Sequence, residues 1–289
     1  MGQPEKNAAE PLIRNVSDTA RWVAVYRARE TERPDALFRD PYARRLAGER
    51  GEQIARLMPL GRDSAWSIIT RTYLIDDFVR QQVRDGIDTV VNLAAGLDTR
   101  PYRMELPPNL RWIEIDLAEI LNYKEQILRE EKPACQLERI RLDLANESER
   151  RELFAKVSAR TQRALVITEG LLVYLTGEAV GELAKDLASI PSFRSWLVDF
   201  PSPSLLRMLK KRMAPELRDV APFRFAPEEG VKFFAQYGWD AADVQSLLKN
   251  AGRLKRLPLM LRLFALLPET EKSRHNRPWS GVCLLRNKP

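Results

Sequence analysis

The sequence predicts an α/β protein built on a mostly parallel sheet. From residue 87 onward, short apolar runs alternate with helical segments, which is the pattern of successive βαβ units. Residues 17–86 instead show apolar residues at helical spacing and contain no clear strand. At 289 residues, the chain is long enough for one such domain with an elaboration. A group of helices is therefore expected to precede the sheet.

The individual elements follow from the same patterns. Strands are expected at 88–94, 111–115, 138–142, 164–168 and 195–200, with the last ones near 254–264 and 279–286. Helices are expected at 117–131, 147–160, 177–189 and 240–252. We expect a flexible tail at 1–16 and one domain over 17–289, with N-terminal helices at 17–86, a cofactor-binding core at 87–200, a Pro-rich helical insertion at 201–239 and the end of the sheet at 240–289.

Composition and charge narrow the class of protein. No apolar run reaches the ~18 residues of a membrane span, and the N-terminus lacks the apolar segment of a secretory signal. We therefore expect a cytoplasmic protein. The net charge of +7 could favour nucleic acid, but the longest basic run, Lys210-Lys211-Arg212, is short and both signs are mixed. Nucleic acid is thus a disfavoured partner, and no cluster with metal-ligand spacing indicates a metal site.

A glycine and three carboxylates follow the first four predicted strands. Gly96 follows the first, Asp116 the second, Asp143 the third and Glu169 the fourth. In a doubly wound sheet, ligands bind beyond the carboxyl ends of the strands. A single acid at such a position is often only a helix N-cap, and for Asp116 alone that interpretation is as good as a functional one. Three successive acids favour a binding site.

The spacing favours a nucleoside ligand. Asp116 lies 20 residues after Gly96, where nucleotide-binding folds place a carboxylate against ribose hydroxyls. The stretch "AAGLDTR" lacks the G-x-G-x-x-G fingerprint of dinucleotide sites, so a ligand without phosphates is preferred. S-adenosylmethionine is the common example. Asp116 would hold the ribose, and Asp143 would accept from the adenine amino group.

The motifs resemble a known family. "VVNLAAGLDTRPYRM", "WIEIDLAEI", "RLDLA" and "TEGLLVYLT", with "ETERPDALFRDPYARRLAG" upstream, resemble the leucine carboxyl methyltransferase-like O-methyltransferases. The resemblance covers about residues 17–200. It implies a class I methyltransferase (Rossmann-like) fold with N-terminal helices and an insertion over the substrate side. The cofactor-binding residues it implies are Arg71, Gly96, Asp116, Asp143, Leu144, Glu169 and Arg21. Arg71, in "TRTYLIDDF", would bind the methionine carboxylate.

Other residues leave alternatives open. Asp98 and Arg100 either pair with each other or help to position the acceptor. Tyr174 either lines the acceptor pocket or packs as a buried aromatic residue. His275, the single histidine, is expected in a surface loop.

The expected function is S-adenosylmethionine-dependent O-methylation of a small molecule. The acceptor would carry a carboxylate or an acidic hydroxyl, as a polyketide or other secondary metabolite does. An RNA-directed methyltransferase and a non-catalytic S-adenosylmethionine-binding protein are the alternatives. The sequence assigns no catalytic residue and no oligomeric state.

Overall fold

The protein folds around one seven-stranded sheet. The computed structural model describes residues 13, 18–57, 61–212, 220–270 and 277–288. The strand order is β3-β2-β1-β4-β5-β7-β6; β7 pairs antiparallel with β5 and β6, and the other described pairs are parallel. The strands are β1 (Thr89–Leu93), β2 (Arg111–Asp116), β3 (Gln136–Arg141), β4 (Ala164–Thr168), β5 (Phe193–Pro201), β6 (Trp239–Ser246) and β7 (Ser280–Asn287). The predicted α/β class with a mostly parallel sheet is confirmed.

Helices precede the sheet and cover both of its faces. They are α1 (Thr19–Thr31), α2 (Ala43–Leu57), α3 (Gly61–Arg84), α4 (Arg100–Arg103), α5 (Ala118–Leu128), α6 (Glu147–Ser158), α7 (Gly177–Ala188), α8 (Pro203–Arg212), α9 (Leu247–Arg253) and α10 (Leu259–Leu266). Short 3₁₀ helices span Leu172–Tyr174 and Gly230–Tyr237. Within α2 the backbone breaks at Gly48, whose φ of 58° is accessible to glycine without strain.

The alternation of side chains along the strands divides the core into two layers. Val90 on β1 and Trp112 on β2 pack on the layer that α3 covers with Ile75 and Val79. Val91, one residue further, points to the opposite layer, which α6 and α7 cover. Since β1 and β4 are buried along their whole length, both faces of the sheet are covered at its centre.

Two predicted elements near the C-terminus are wrong. The expected helix 240–252 is a strand up to Ser246 and a helix only afterwards. This segment is the edge strand β6, and its residues do not show the apolar alternation that predicts a strand. Pairing with β7 overrides its local helical preference. The strand expected at 254–264 is absent from these described residues, where the helix α10 begins directly after Pro258 and runs to Leu266. Its apolar run suggested a buried strand, yet none of its residues is buried.

Residues 1–16 are predicted to form a flexible tail. Residues 1–16 lie outside the described residues except for Ile13, which is buried against Ile54 and Ala221. Within the described ranges, no helix combines the length and the apolar character needed to cross a membrane.

Candidate active site

A large cavity opens at the carboxyl edge of the sheet. Its volume is about 1640 Å³, which exceeds the ~300–1,000 Å³ of a pocket for one small ligand. Residues that follow β1, β2, β3 and β4 line it, together with α1, α3, and segments that follow β5 and β6. The cavity is therefore large enough for a cofactor and a second molecule.

The turn after β1 brings Gly96 and Asp116 into direct contact. The Gly96 N–H donates to Asp116 Oδ2 at 2.7 Å, and the Leu117 N–H donates to Oδ1 at 2.7 Å. Gly96 has a φ of 47°, and a Cβ there would lie 3.2 Å from Ala20 Cβ on α1. A side chain at this position would thus be strained and crowded. Burial raises the pKa of Asp116, although the two N–H donors oppose this shift.

The turn after β3 presents Asp143 and Leu144 at the same edge. Both line the cavity; Asp143 is exposed and Leu144 is half-buried. Asp143 Oδ1 accepts from the Ala145 N–H at 2.9 Å, which holds the carboxylate against its own turn. The Leu144 carbonyl accepts from Arg150 Nη1 at 2.8 Å. These bonds fix the turn and leave the Asp143 carboxylate at the surface of the cavity.

Arg71, from α3, is held between two carboxylates. Its Nε donates to Glu169 Oε1 at 3.0 Å and its Nη1 to Asp199 Oδ2 at 3.0 Å. Asp199 also accepts from the Gly170 N–H at 2.6 Å. Across the described part of the chain, Arg71 Nη2 has no hydrogen-bond partner, and Arg71 lines the cavity. A guanidinium fixed at two nitrogens and open at the third is suited to bind an anionic group.

Arg100 extends this network under the turn. Its guanidinium donates to Asp76 Oδ1 at 2.7 Å, Asp98 Oδ2 at 2.9 Å and Glu169 Oε2 at 2.8 Å. Burial alone would raise the pKa of Glu169, but Arg100 and Arg71 hold it below its ordinary value. The pKa of Asp98 is depressed well below its ordinary value by Arg100, against the effect of burial. Of the two alternatives for Asp98 and Arg100, the structure shows that the two side chains pair with each other.

Arg21 lies elsewhere. Its guanidinium carbon lies 3.7 Å from the ring centroid of Tyr123, and Arg21 does not line the cavity. Arg27, two turns further along α1, does line it, and its Nη2 donates to the Leu97 carbonyl at 2.6 Å. The structure thus brings together six of the seven predicted cofactor residues at one edge and leaves Arg21 outside.

The other side of the cavity is an apolar wall. The register pairs Pro201 with Ser280 and Ser246 with Gly281, so the segments after β5 and β6 and before β7 meet at the carboxyl edge. We call this set the acceptor wall; it comprises Leu205, Met208 and Leu209 of α8, Val220, Ala221, Pro222, Phe223 and Arg224, Met260, Leu261, Phe264 and Leu267 at α10, and Trp279.

Four cations line this side of the cavity beside the apolar groups. They are Arg212 at the end of α8, Arg224, Lys249 on α9, and Arg277, which precedes β7. None of the four forms an ion pair with an acid in the ranges that the structure describes. This side of the cavity therefore combines apolar surface with positive charge.

Tyr174 and His275 complete the list of sequence candidates, and Trp279 is a further residue that lines the cavity. Tyr174 lines the cavity, packs on Phe223 and has its hydroxyl 3.4 Å from Thr19 Oγ1. Burial raises its pKa. Trp279 precedes β7, is buried, and donates through Nε1 to Glu269 at 2.8 Å. His275 lies outside the described residues.

Sequence reasoning missed Asp199 and Asp76. Asp199 lies near the end of β5, so the strand-end rule that selected Asp116 could have found it. Asp76 is buried in α3 and also accepts from Arg103 at 2.6 and 2.7 Å, but no sequence signal links these residues. No set of three or more His, Cys, Asp and Glu side chains among the described residues could hold a metal ion.

The donors and acceptors of the edge fit S-adenosylmethionine. A buried carboxylate beside a glycine turn suits a ribose diol, and Asp143 offers an acceptor one strand away. The open Nη2 of Arg71 suits an amino-acid carboxylate. No loop of the edge has the glycine pattern that a pyrophosphate requires.

Comparisons with known proteins agree with this fit. The model of the leucine carboxyl methyltransferase family matches residues 20–188. A relative from Frankia alni is 37% identical over 60% of this chain and 64% of its own length. A relative from Streptomyces avermitilis is 32% identical over 82% of this chain and 87% of its own. Both are provisionally named S-adenosyl-L-methionine-dependent methyltransferases.

Solved structures agree on the fold. A DUF574 family protein from Streptomyces avermitilis superposes with a TM-score of 0.60 at 15% identity, covering 94% of this chain and 97% of that one. A protein from Thermobifida fusca, provisionally named a methyltransferase, gives 0.60 at 15% identity and covers 97% of both chains. At this identity the likeness concerns the fold alone. Because the family model spans more than half of the chain and the fold agrees with it, the chain belongs to the leucine carboxyl methyltransferase family of S-adenosylmethionine-dependent enzymes.

Proposed function

We propose that this enzyme methylates an oxygen of a small molecule that carries a carboxylate or an acidic hydroxyl, such as a polyketide or another secondary metabolite. The observation that carries the proposal is the acceptor wall together with the four cations that line the cavity beside it, Arg212, Arg224, Lys249 and Arg277, which have no acidic partner among the described residues. An apolar surface binds the body of such a molecule, and the cations attract its anionic group.

The residues at the carboxyl edge would hold the cofactor. We assign Asp116 to the ribose hydroxyls, and Asp143 with Leu144 to the adenine ring. Arg71 would bind the methionine carboxylate through Nη2, since Glu169 and Asp199 already hold its other nitrogens. Gly96 would let the backbone approach the ligand closely. When bound, S-adenosylmethionine supplies an electrophilic methyl group on a sulfonium.

The protein would contribute alignment rather than acid–base chemistry. A carboxylate is already ionised at neutral pH and needs no general base, and an acidic enol or phenol loses its proton readily. Holding two reactants in line supplies ~7–11 kcal/mol of a reaction barrier. We therefore assign the rate enhancement to the rigid edge and the apolar wall, and to no single catalytic side chain.

Isotope transfer tests this proposal. The protein is incubated with S-adenosylmethionine labelled in the methyl group and with pools of candidate acceptors, and products are identified by mass spectrometry. We expect a base-labile methyl ester or an aryl methyl ether. Asp116→Ala is the control, because it should remove transfer by weakening cofactor binding. Label found on nitrogen, carbon or RNA would overturn the assignment.

A further inference from the structure

The helix α10 is unusual because its large apolar residues face outward. Leu259, Met260, Leu263, Phe264, Leu266 and Leu267 are exposed, several of them by more than 70%. Monomeric proteins rarely display such continuous apolar surface without a function. None of the α10 residues is buried, so packing against the core does not explain its composition.

One face of α10 belongs to the acceptor wall. Met260, Leu261, Phe264 and Leu267 line the cavity and follow one another at helical spacing, so they share a face. Leu259, Leu263 and Leu266 form the next face of the helix and do not line the cavity. The apolar surface of the cavity therefore continues over α10 to the outside of the protein.

The helix α8 contributes a matching face. Leu205, Met208, Leu209 and Arg212 line the cavity at spacings of three, one and three residues, which places them on one side of the helix. Arg207, Lys210 and Lys211 of the same helix do not line the cavity. The apolar residues thus lie inward and Arg212 ends the row.

We propose that the cavity-lining faces of α8 and α10 form a binding site for the long apolar body of the methyl acceptor, and that the acceptor is an amphiphilic carboxylate with an extended hydrocarbon portion. This inference rests on the proposed function. The volume of about 1640 Å³ leaves room for a second molecule of substantial size beside a cofactor. The apolar faces of α8 and α10 bind the hydrocarbon portion, while Arg212, Arg224 and Lys249 bind the acid.

A fluorescent long-chain carboxylate, cis-parinaric acid, tests the site directly. Its binding is measured by fluorescence titration of the full-length protein in the presence of S-adenosylhomocysteine. We expect saturable binding that palmitate displaces and that the uncharged methyl palmitate displaces at least 10-fold less well. Displacement should also weaken from palmitate to octanoate, because the shorter chain covers less apolar surface.

Two variants of α10 provide a matched pair. Phe264→Asp, on the cavity face, should weaken probe binding at least 10-fold, whereas Leu263→Asp, on the next face, should change it less than 2-fold. Since no α10 residue is buried, both variants should fold, which thermal unfolding checks. Equal losses in the two variants would indicate that the probe binds the exposed apolar surface of α10 without preference for the cavity face. That result would overturn the proposal. An absence of saturable binding would overturn it as well.

The outcome is distinguishable from a failure of the proposed function. If short polar acids are converted to methyl esters and cis-parinaric acid does not bind, the apolar site is wrong and O-methylation stands. If the probe binds with the expected variant pattern and the methyl group is found on nitrogen, the apolar site stands and O-methylation is wrong.

Discussion

The two sides of the cavity are built in opposite ways. The carboxyl edge is a buried network in which Arg71 and Arg100 are held by Asp76, Asp98, Glu169 and Asp199 at 2.7–3.0 Å. The acceptor wall is mainly apolar, and the cations beside it have no acidic partner among the described residues. The edge restricts each group to one position, whereas the wall supplies surface and charge without fixed geometry.

This difference fits the roles that we propose for the two sides. A cofactor of constant shape is best bound by preorganised charges, whose mutual hydrogen bonds are formed before the ligand arrives. An acceptor is bound by apolar area, which tolerates variation in shape because burial is not directional. Substitutions at the edge should therefore cost several kcal/mol, and those at the wall much less.

The largest effect is expected from Arg71→Ala. This change leaves Glu169 and Asp199 without their shared cation and removes the group assigned to the methionine carboxylate. Removing one partner of a buried charge pair costs about 2–5 kcal/mol, so cofactor affinity should fall by about 30-fold or more. Titration calorimetry with S-adenosylmethionine measures the loss, and thermal unfolding shows how much of it reflects the fold.

Asp143→Ala is the matched control at the same edge. It would remove the single hydrogen bond that we assign to the neutral adenine amino group, which is worth about 1 kcal/mol, or roughly 5-fold in affinity. If both variants fold and Asp143→Ala loses as much affinity as Arg71→Ala, then Arg71 does not bind the carboxylate.

The second prediction concerns stability and pH. The pKa of Asp98 is depressed in the folded protein because Arg100 lies beside it, although burial opposes this. Its contribution is therefore fully present above the unfolded pKa of about 3.9 and is lost as the pH falls through the lower folded pKa. Asp98→Asn should lower the free energy of unfolding by about 2 kcal/mol at pH 7.

Urea unfolding at a series of pH values checks the direction of this pH dependence. The difference in free energy of unfolding between wild type and Asp98→Asn should stay constant from pH 7 to 5 and shrink below pH 4. Asp143→Asn, which changes an exposed carboxylate at the same edge, should alter stability by less than about 0.5 kcal/mol. A difference for Asp98→Asn that is equal at pH 3 and pH 7 would show that its charge is not the cause.

The edge could be predicted from sequence because its residues follow regular elements. Gly96, Asp116, Asp143 and Glu169 each follow an apolar run, and because these strands are parallel, their carboxyl ends lie at one edge of the sheet. The ion pairs of Arg71 could not be predicted, since its partners lie 98 and 128 residues away and no local pattern encodes them.

The acceptor wall was less predictable for two physical reasons. Edge strand β6 has little burial to impose alternation, so its sequence suggested a helix. In α10, the apolar residues face the cavity and the solvent rather than the core, so the assumption that apolar runs are buried gave a strand.

A smaller effect is expected at the wall from Arg224→Gln. Arg224 is exposed and lines the cavity, and exposed charges contribute about 0.2–1 kcal/mol to an ionic contact. The KM for an anionic acceptor should rise about 2- to 5-fold, with kcat and cofactor affinity unchanged. Higher salt should reduce the effect, because screening weakens exposed charges. Arg207→Gln, on the part of α8 outside the cavity, is the control and should leave KM unchanged. An unchanged KM in Arg224→Gln would remove this cation from acceptor binding.

The smallest effect is expected from His275→Ala. An alcohol acceptor, or a phenol of ordinary acidity, must lose its proton during transfer, and histidine is the side chain whose unperturbed pKa suits that task near pH 7. His275 is the single histidine of the chain. If the wall receives a carboxylate, as its cations indicate, no proton has to be removed and the histidine is dispensable. With the acceptor identified by isotope transfer, His275→Ala should keep most of the wild-type kcat, and the rate should stay flat from pH 6 to 8. A loss of two orders of magnitude with cofactor binding intact would mean that a base acts in the reaction, and that the wall supplies more than apolar surface and charge.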